Sequence, residues 1–241
     1  MRQYKGIFFD LGYTLVRTDR ELSMQKRMMQ LQIDCSLLEL EHAYHATDKY
    51  YMQHQPGLLA LDSRRFFPNY IRRVADYLGL QLADKELDHL ARVDDGRGVW
   101  SLIPGVQDGL KTLRDSGLHV GLISNWDESA RPLLQRLKLE DLFESIIISS
   151  EIGMQKPNPD IFLTALKHAG ITAESALYVG DNYYDDVVGA RKAGLDAVLI
   201  NRFGKLGIED IQDCQIYESV TQVIDSVLSH AAQPAHGRAT P

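Results

Sequence analysis

Five short runs of apolar and β-branched residues set the strongest constraint on how this chain can fold. They are Gly6 to Phe9, His119 to Ile123, Ser145 to Ile148, Ala176 to Val179 and Ala197 to Ile200. Each has the length and composition of a buried strand. Segments of helical period separate the later four: Ser129 to Leu137, Asp160 to Ala169 and Asp186 to Ala193, with another from Val106 to Arg114 before the second run. Alternation of this kind predicts an α/β chain with a Rossmann-like parallel sheet covered by helices on both faces.

The first and second runs lie about a hundred residues apart, far beyond an ordinary crossover. That stretch holds no convincing strand. Phe67, Tyr70, Ile71, Val74, Tyr77 and Leu78 recur at helical spacing, and Glu39 to Tyr51 is compatible with a helix. The reading is therefore an inserted helical cap over residues 17–98, a core over residues 1–16 and 99–230, and a frayed tail over residues 231–241. A chain of 241 residues, 44% hydrophobic, is long enough to bury one core and a smaller insert. Pro104-Gly105 marks the return to the core.

A formal charge of −7 disfavours a nucleic-acid partner, since such proteins need a basic face to displace counterions. No apolar run reaches the roughly 18 residues needed to span a bilayer. A cytoplasmic protein is the expectation, with Cys35 and Cys214 as free thiols. A small anionic ligand stays open, because a local cation overrides the global field.

In an open parallel sheet, ligands sit beyond the carboxyl ends of the strands. The residues just past the runs are Asp10, then Ser124-Asn125, then Lys156 at a slightly greater distance, then Asp181. An aspartate leaving a buried strand is a metal ligand, a nucleophile, or a partner of the next turn. Carboxylates at two strand ends suit a hard cation such as magnesium (Mg2+), which neutralises an attacking carboxylate and a phosphate together. Asp185 and Asp186 are also candidates to cap the following helix. Ser124 and Asn125 offer a hydroxyl and an amide for phosphoryl oxygens, or an ordinary polar turn. Lys156 precedes Asn158 and Pro159, a firm helix start, where a held lysine offsets developing charge.

The run Phe8-Phe9-Asp10-Leu11-Gly12-Tyr13-Thr14-Leu15, then Leu122-Ile123-Ser124-Asn125, Lys156-Pro157 and Gly180-Asp181 with Asp186, resembles the four ordered motifs of the haloacid dehalogenase superfamily. The resemblance covers nearly the whole core, and the insert resembles that superfamily's helical cap. It implies that Asp10 is the nucleophile forming an aspartyl-phosphate from a small phosphorylated substrate. It implies magnesium held by Asp10, the Gly12 carbonyl and Asp181, with Asp186 supporting the metal or Lys156. Thr14 is implied to support the loop around the substrate, and Ser124 and Lys156 to bind the phosphoryl group.

One position departs from the pattern. Phosphatases of the superfamily carry a second aspartate two residues after the first, as acid to the leaving group and then base toward water; here that residue is Gly12. Such help is worth about 10²–10⁴ in rate, so restoring it through Gly12→Asp is expected to raise turnover of alkyl phosphates. The alternatives are a catalytically quiet phosphate-binding protein, phosphonate hydrolysis, which needs a cap lysine, and haloacid hydrolysis, against which Asp181 argues. Lys26 and Lys49 lie in the cap, and neither stands out in the sequence. Arg64-Arg65 and Arg72-Arg73 read mainly as a solvated face. His42, His45 and His54 form no metal set.

Overall fold

A computed structural model describes residues 4–60, 66–91 and 99–231. Strand β1 (Gly6–Phe9) leads through a tight loop to β2 (Val16–Arg17). Four helices come next: α1 (Arg20–Gln30), α2 (Leu37–His54), α3 (Phe67–Tyr77) and α4 (Asp84–Leu90). The chain returns through β3 (Ser101–Leu102), which pairs antiparallel with β2. The core continues with α5 (Val106–Asp115), β4 (His119–Ser124), α6 (Ala130–Arg136), β5 (Ser145–Ile148), α7 (Ser149–Ile152) and α8 (Pro159–Ala169). It closes with β6 (Ala176–Gly180), α9 (Val188–Lys192), β7 (Asp196–Ile200), β8 (Ile216–Tyr217) and α10 (Val220–Ala231).

Six strands form one parallel sheet in the order β5-β4-β1-β6-β7-β8. Alternate residues of each strand feed opposite faces, as the pleat requires. Ile7, Phe9, Val120, Leu122, Leu177 and Val179 pack on one side; Phe8, Ile123, Ala176 and Tyr178 pack on the other. The chain runs outward from β1 to β5, then crosses back to β6 on the other side of β1. That reversal opens a crevice at the carboxyl ends of β4, β1 and β6.

The cap helices have a core of their own, including Met24, Met28, Leu40, Tyr44, Tyr70, Ile71 and Val74. Helix α2 starts on a full capping box: the Ser36 hydroxyl accepts from the Glu39 amide at 3.2 Å, and the Glu39 carboxylate accepts from the Ser36 amide at 2.8 Å. Helix α8 starts as its sequence demands, with Asn158 accepting from the Asp160 amide at 3.0 Å. The segment expected to be helical from Asp186 instead begins with a wide turn over Tyr183–Val187. Its cap is the Asn182 side chain, which accepts from the Tyr184 and Asp185 amides, so neither Asp185 nor Asp186 caps it. Cys35 and Cys214 are free thiols. Among the described residues, no helix is long and apolar enough to cross a membrane. Arg64 and Arg65 lie outside the described residues; Arg72 is an exposed partner of Asp84 at 3.3 Å.

Candidate active site

The crevice gathers Asp10 from the end of β1, Ser124 from the end of β4, Lys156 from beyond β5, and Asp181, Asp185 and Asp186 from beyond β6. Lys156 is the hub. Its ammonium donates to Asp10 Oδ1 at 2.7 Å, to Asp186 Oδ1 at 2.7 Å and to the Tyr178 hydroxyl at 3.0 Å. Burial alone would drive the proton off this amine, yet Asp10 and Asp186 outweigh it and hold the ammonium well above the usual lysine range.

Asp10 is buried and accepts a second hydrogen bond from the Ser124 hydroxyl at 3.2 Å. Burial raises its pKa from the ordinary aspartate value; Lys156 pulls the other way and Asp186 adds to the rise. Burial likewise pushes Asp181 up to about 7, against the pull of Lys49, and Asp185 up to about 6. Carboxylates so placed need positive charge. Asp10, Asp181 and Asp186 each offer an oxygen, all within 4.8 Å of one another.

Asp186 reaches this position because residue 180 is glycine. A Cβ at Gly180 would lie 2.2 Å from Asp186 Oδ2, which accepts from the Asn182 amide at 2.9 Å. Gly180→Ala is therefore expected to push Asp186 off Lys156, lowering stability by about 1–3 kcal/mol and turnover with it. An alanine variant with unchanged melting temperature and unchanged rate would show that Asp186 has another place to go.

Asn125 spends both ends of its amide on the backbone of Lys156, donating to its carbonyl at 2.9 Å and accepting from its N–H at 2.8 Å. Thr14 is fully buried, and its hydroxyl has no hydrogen-bond partner among the described residues.

The loop from Leu11 to Val16 closes on itself: the Tyr13 amide donates to the Val16 carbonyl at 2.7 Å, and the Leu15 amide to the Leu11 carbonyl at 2.9 Å. Tyr13 has a φ of 52°, the left-handed region where a side chain is unfavourable. Its ring compensates by meeting Trp100 edge-on at 5.5 Å and lying under the Arg20 guanidinium at 4.8 Å. Arg20 in turn pairs with Asp48, which accepts from the Tyr70 hydroxyl at 2.6 Å. The first loop of the core is thus tied to the polar heart of the cap.

Four site residues were not singled out by the sequence reading. Tyr178 sits mid-strand among apolar residues, and its hydroxyl donates to the Ile123 carbonyl at 2.8 Å; a phenol in a buried strand needs such a partner, which is the signal it carried. Trp100 and Trp126 wall Gly12, and nothing in their spacing announced it. Lys49 comes from the cap, and its ammonium donates to the backbone carbonyl and carboxylate of Asp181.

A family profile described as haloacid dehalogenase-like hydrolase matches residues 7–200. A glyceraldehyde 3-phosphate phosphatase from Pyrococcus abyssi is 35% identical over 211 residues, 83% of this chain and 82% of its own. Among solved structures, a HAD phosphatase from Thermococcus onnurineus superposes with a TM-score of 0.57 at 23% identity, covering 92% of this chain and 97% of that one. A 2-haloacid dehalogenase from Pseudomonas syringae superposes with a TM-score of 0.55 at 25% identity, covering 95% and 100%. Enzymes of both names share the fold, so the choice of chemistry rests on the residues.

Proposed function

The chain belongs to the haloacid dehalogenase-like hydrolase family, and on that premise we propose that it is a magnesium-dependent phosphatase of a small phosphorylated metabolite with Asp10 as nucleophile. The observation that carries this reading is the meeting of Asp10, Asp181 and Asp186 around one point, with Lys156 bonded to the first and third. A phosphatase name on the Pyrococcus relative supports the substrate class.

The residues fit a hard divalent cation. Their donors are carboxylate oxygens, and the neighbouring Asp185 Oδ1 is buried with no partner among the described residues. Asp10, Asp181 and Asp186, with the Gly12 carbonyl, would hold magnesium, which when bound neutralises the phosphate oxygens against the attacking carboxylate. Lys156 and Ser124 fix Oδ1 of Asp10 and aim the group. An Asp10 oxygen forms a bond to phosphorus as the ester P–O bond breaks, and the leaving oxygen departs with the electron pair. Water then attacks phosphorus, releasing phosphate and restoring the Asp10 carboxylate. Asn125 acts as a positioning residue, holding the backbone that carries Lys156.

Aromatic carbon borders the place of the missing acid. A Cβ at Gly12 would lie 3.3 Å from Trp126 and 3.8 Å from Trp100, and these indoles pack edge-on at 4.8 Å. Gly12→Asp alone is therefore expected to give no gain on alkyl phosphates, contrary to the expectation from sequence, because the new carboxylate must press on Trp126. Gly12→Asp combined with Trp126→Leu is expected to gain about tenfold or more, within the worth of an acid catalyst. A gain from the single substitution in steady-state assays would show that the indoles yield freely.

Leaving groups that need no proton suit this site best. Purified protein with magnesium is expected to hydrolyse p-nitrophenyl phosphate about a hundredfold faster than a simple alkyl phosphate. Metal-loaded protein that turns over neither sinks the phosphatase reading. Lys49 favours a second reading, cleavage of a carbonyl phosphonate through an imine on a cap lysine. Borohydride reduction in the presence of phosphonoacetaldehyde tests it: covalent capture at Lys49 supports the imine, and its absence removes it.

A further inference from the structure

Helix α2 carries Lys49 to the acidic cluster on a well-anchored face. Glu41, His45 and Lys49 share that face at four-residue spacing, and it docks on residues 201–207, just past β7. Arg202 pairs with Glu41 at 3.0 Å. The ring of Phe203 meets those of His42 and His45 edge-on at 4.5 and 5.1 Å. Gly207, at φ 75°, leaves room for the lysine stem: a Cβ there would lie 2.8 Å from Lys49 Cβ. The Lys49 side chain is 4% exposed, and its ammonium reaches Asp181 Oδ2 at 3.3 Å and the Asp181 carbonyl.

We propose that Lys49 is the resident counter-ion of the metal site: its ammonium neutralises Asp181 while no divalent ion is held, and metal loading transfers it to the anionic oxygens of the substrate. The inference rests on the proposed metal site of Asp10, Asp181 and Asp186. Lys156 serves Asp10 and Asp186, whereas the ammonium on Asp181 is that of Lys49. A divalent ion accepting an Asp181 oxygen meets that ammonium as a like charge in a dry site, where repulsion is weakly screened. Lysine suits the exchange better than arginine, having a flexible stem and three rotatable donors. The stem stays pinned between α2 and Gly207, so the displaced tip remains within the crevice. No covalent bond changes in the exchange. Cap docking and metal loading thereby become linked, since the cap supplies the cation that the metal replaces.

The test is Lys49→Met, titrated calorimetrically first with magnesium chloride and then, at saturating magnesium, with inorganic phosphate. Competition predicts about tenfold tighter magnesium binding than the parent protein and about tenfold weaker phosphate binding. Opposite signs from one substitution separate this role from a structural one, because a disturbed cap would weaken both. Lys49→Arg, which keeps the charge, is expected to bind magnesium no more tightly than the parent. Equal or weaker magnesium binding by Lys49→Met overturns the proposal while leaving the metal reading intact. Absence of magnesium binding by both proteins overturns the two together. Should methionine unfold the cap, Lys49→Gln, neutral and able to donate to the Asp181 carbonyl, carries the same measurement.

Discussion

Lys156→Ala is expected to lower folding stability by about 3–5 kcal/mol and to abolish turnover. The ammonium is almost wholly buried and sits at 2.7 Å from two carboxylates. Removing it leaves both charges in a dry crevice with one shared cation gone. The buried triad as a whole is worth far less than that, because all three groups were desolvated to form it. The double variant Lys156→Ala with Asp186→Asn is therefore expected to regain more than half of the lost stability, a coupling that urea denaturation of the singles and the double measures. Lys156→Arg is not a safe substitute: a planar fork cannot place three donors on Asp10, Asp186 and the Tyr178 hydroxyl as the ammonium does. A loss under about 1 kcal/mol for the alanine variant would mean that solvent or another cation reaches the two aspartates.

Asp10→Asn is expected to move activity and stability in opposite directions. The amide cannot attack phosphorus, so turnover on p-nitrophenyl phosphate should fall by about 10⁴-fold or more, the scale seen when a nucleophile is lost. Stability should rise in the metal-free protein. The folded-state pKa of Asp10 lies above its unfolded value, chiefly through burial. A carboxyl shifted that way favours folding below its unfolded pKa, and the benefit is lost as pH rises through the folded value. Ionisation of Asp10 thus counts against the fold, and an isosteric amide that still accepts from Lys156 and Ser124 removes that cost. The expected result is a higher melting temperature at pH 7 without magnesium, with the difference shrinking toward acid. A lower melting temperature at pH 7 would mean that the Lys156 bond outweighs burial at this carboxylate.

Both predictions concern residues that stand out in the amino-acid sequence. Asp10, Ser124, Lys156, Asp181 and Asp186 each lie past an apolar run or at a helix start, and the parallel sheet places such positions on one edge. The strands were legible for the same reason: β1, β4, β5, β6 and β7 are short, β-branched and bounded by turns. The two-residue strands β2, β3 and β8 were not, because runs so short carry no period. The turn at Tyr183–Val187 also escaped, since Asn182 captures its first amides and delays the helix.

Sequence alone determined the local chemistry: an aspartate leaving a buried strand, a lysine at a firm helix start and a Gly-Asp pair after another strand, while the family resemblance marked Gly12 as standing where an acid is usual. Periodicity and turn propensity act over a few residues, so these features are readable there. Only the tertiary structure decided what each of them touches. It turned Asn125 toward the Lys156 backbone, set Trp100 and Trp126 against Gly12, and brought Lys49 across 132 positions to Asp181. Those contacts depend on how the cap and the loop after β7 pack, and packing between distant segments leaves no period in a single chain.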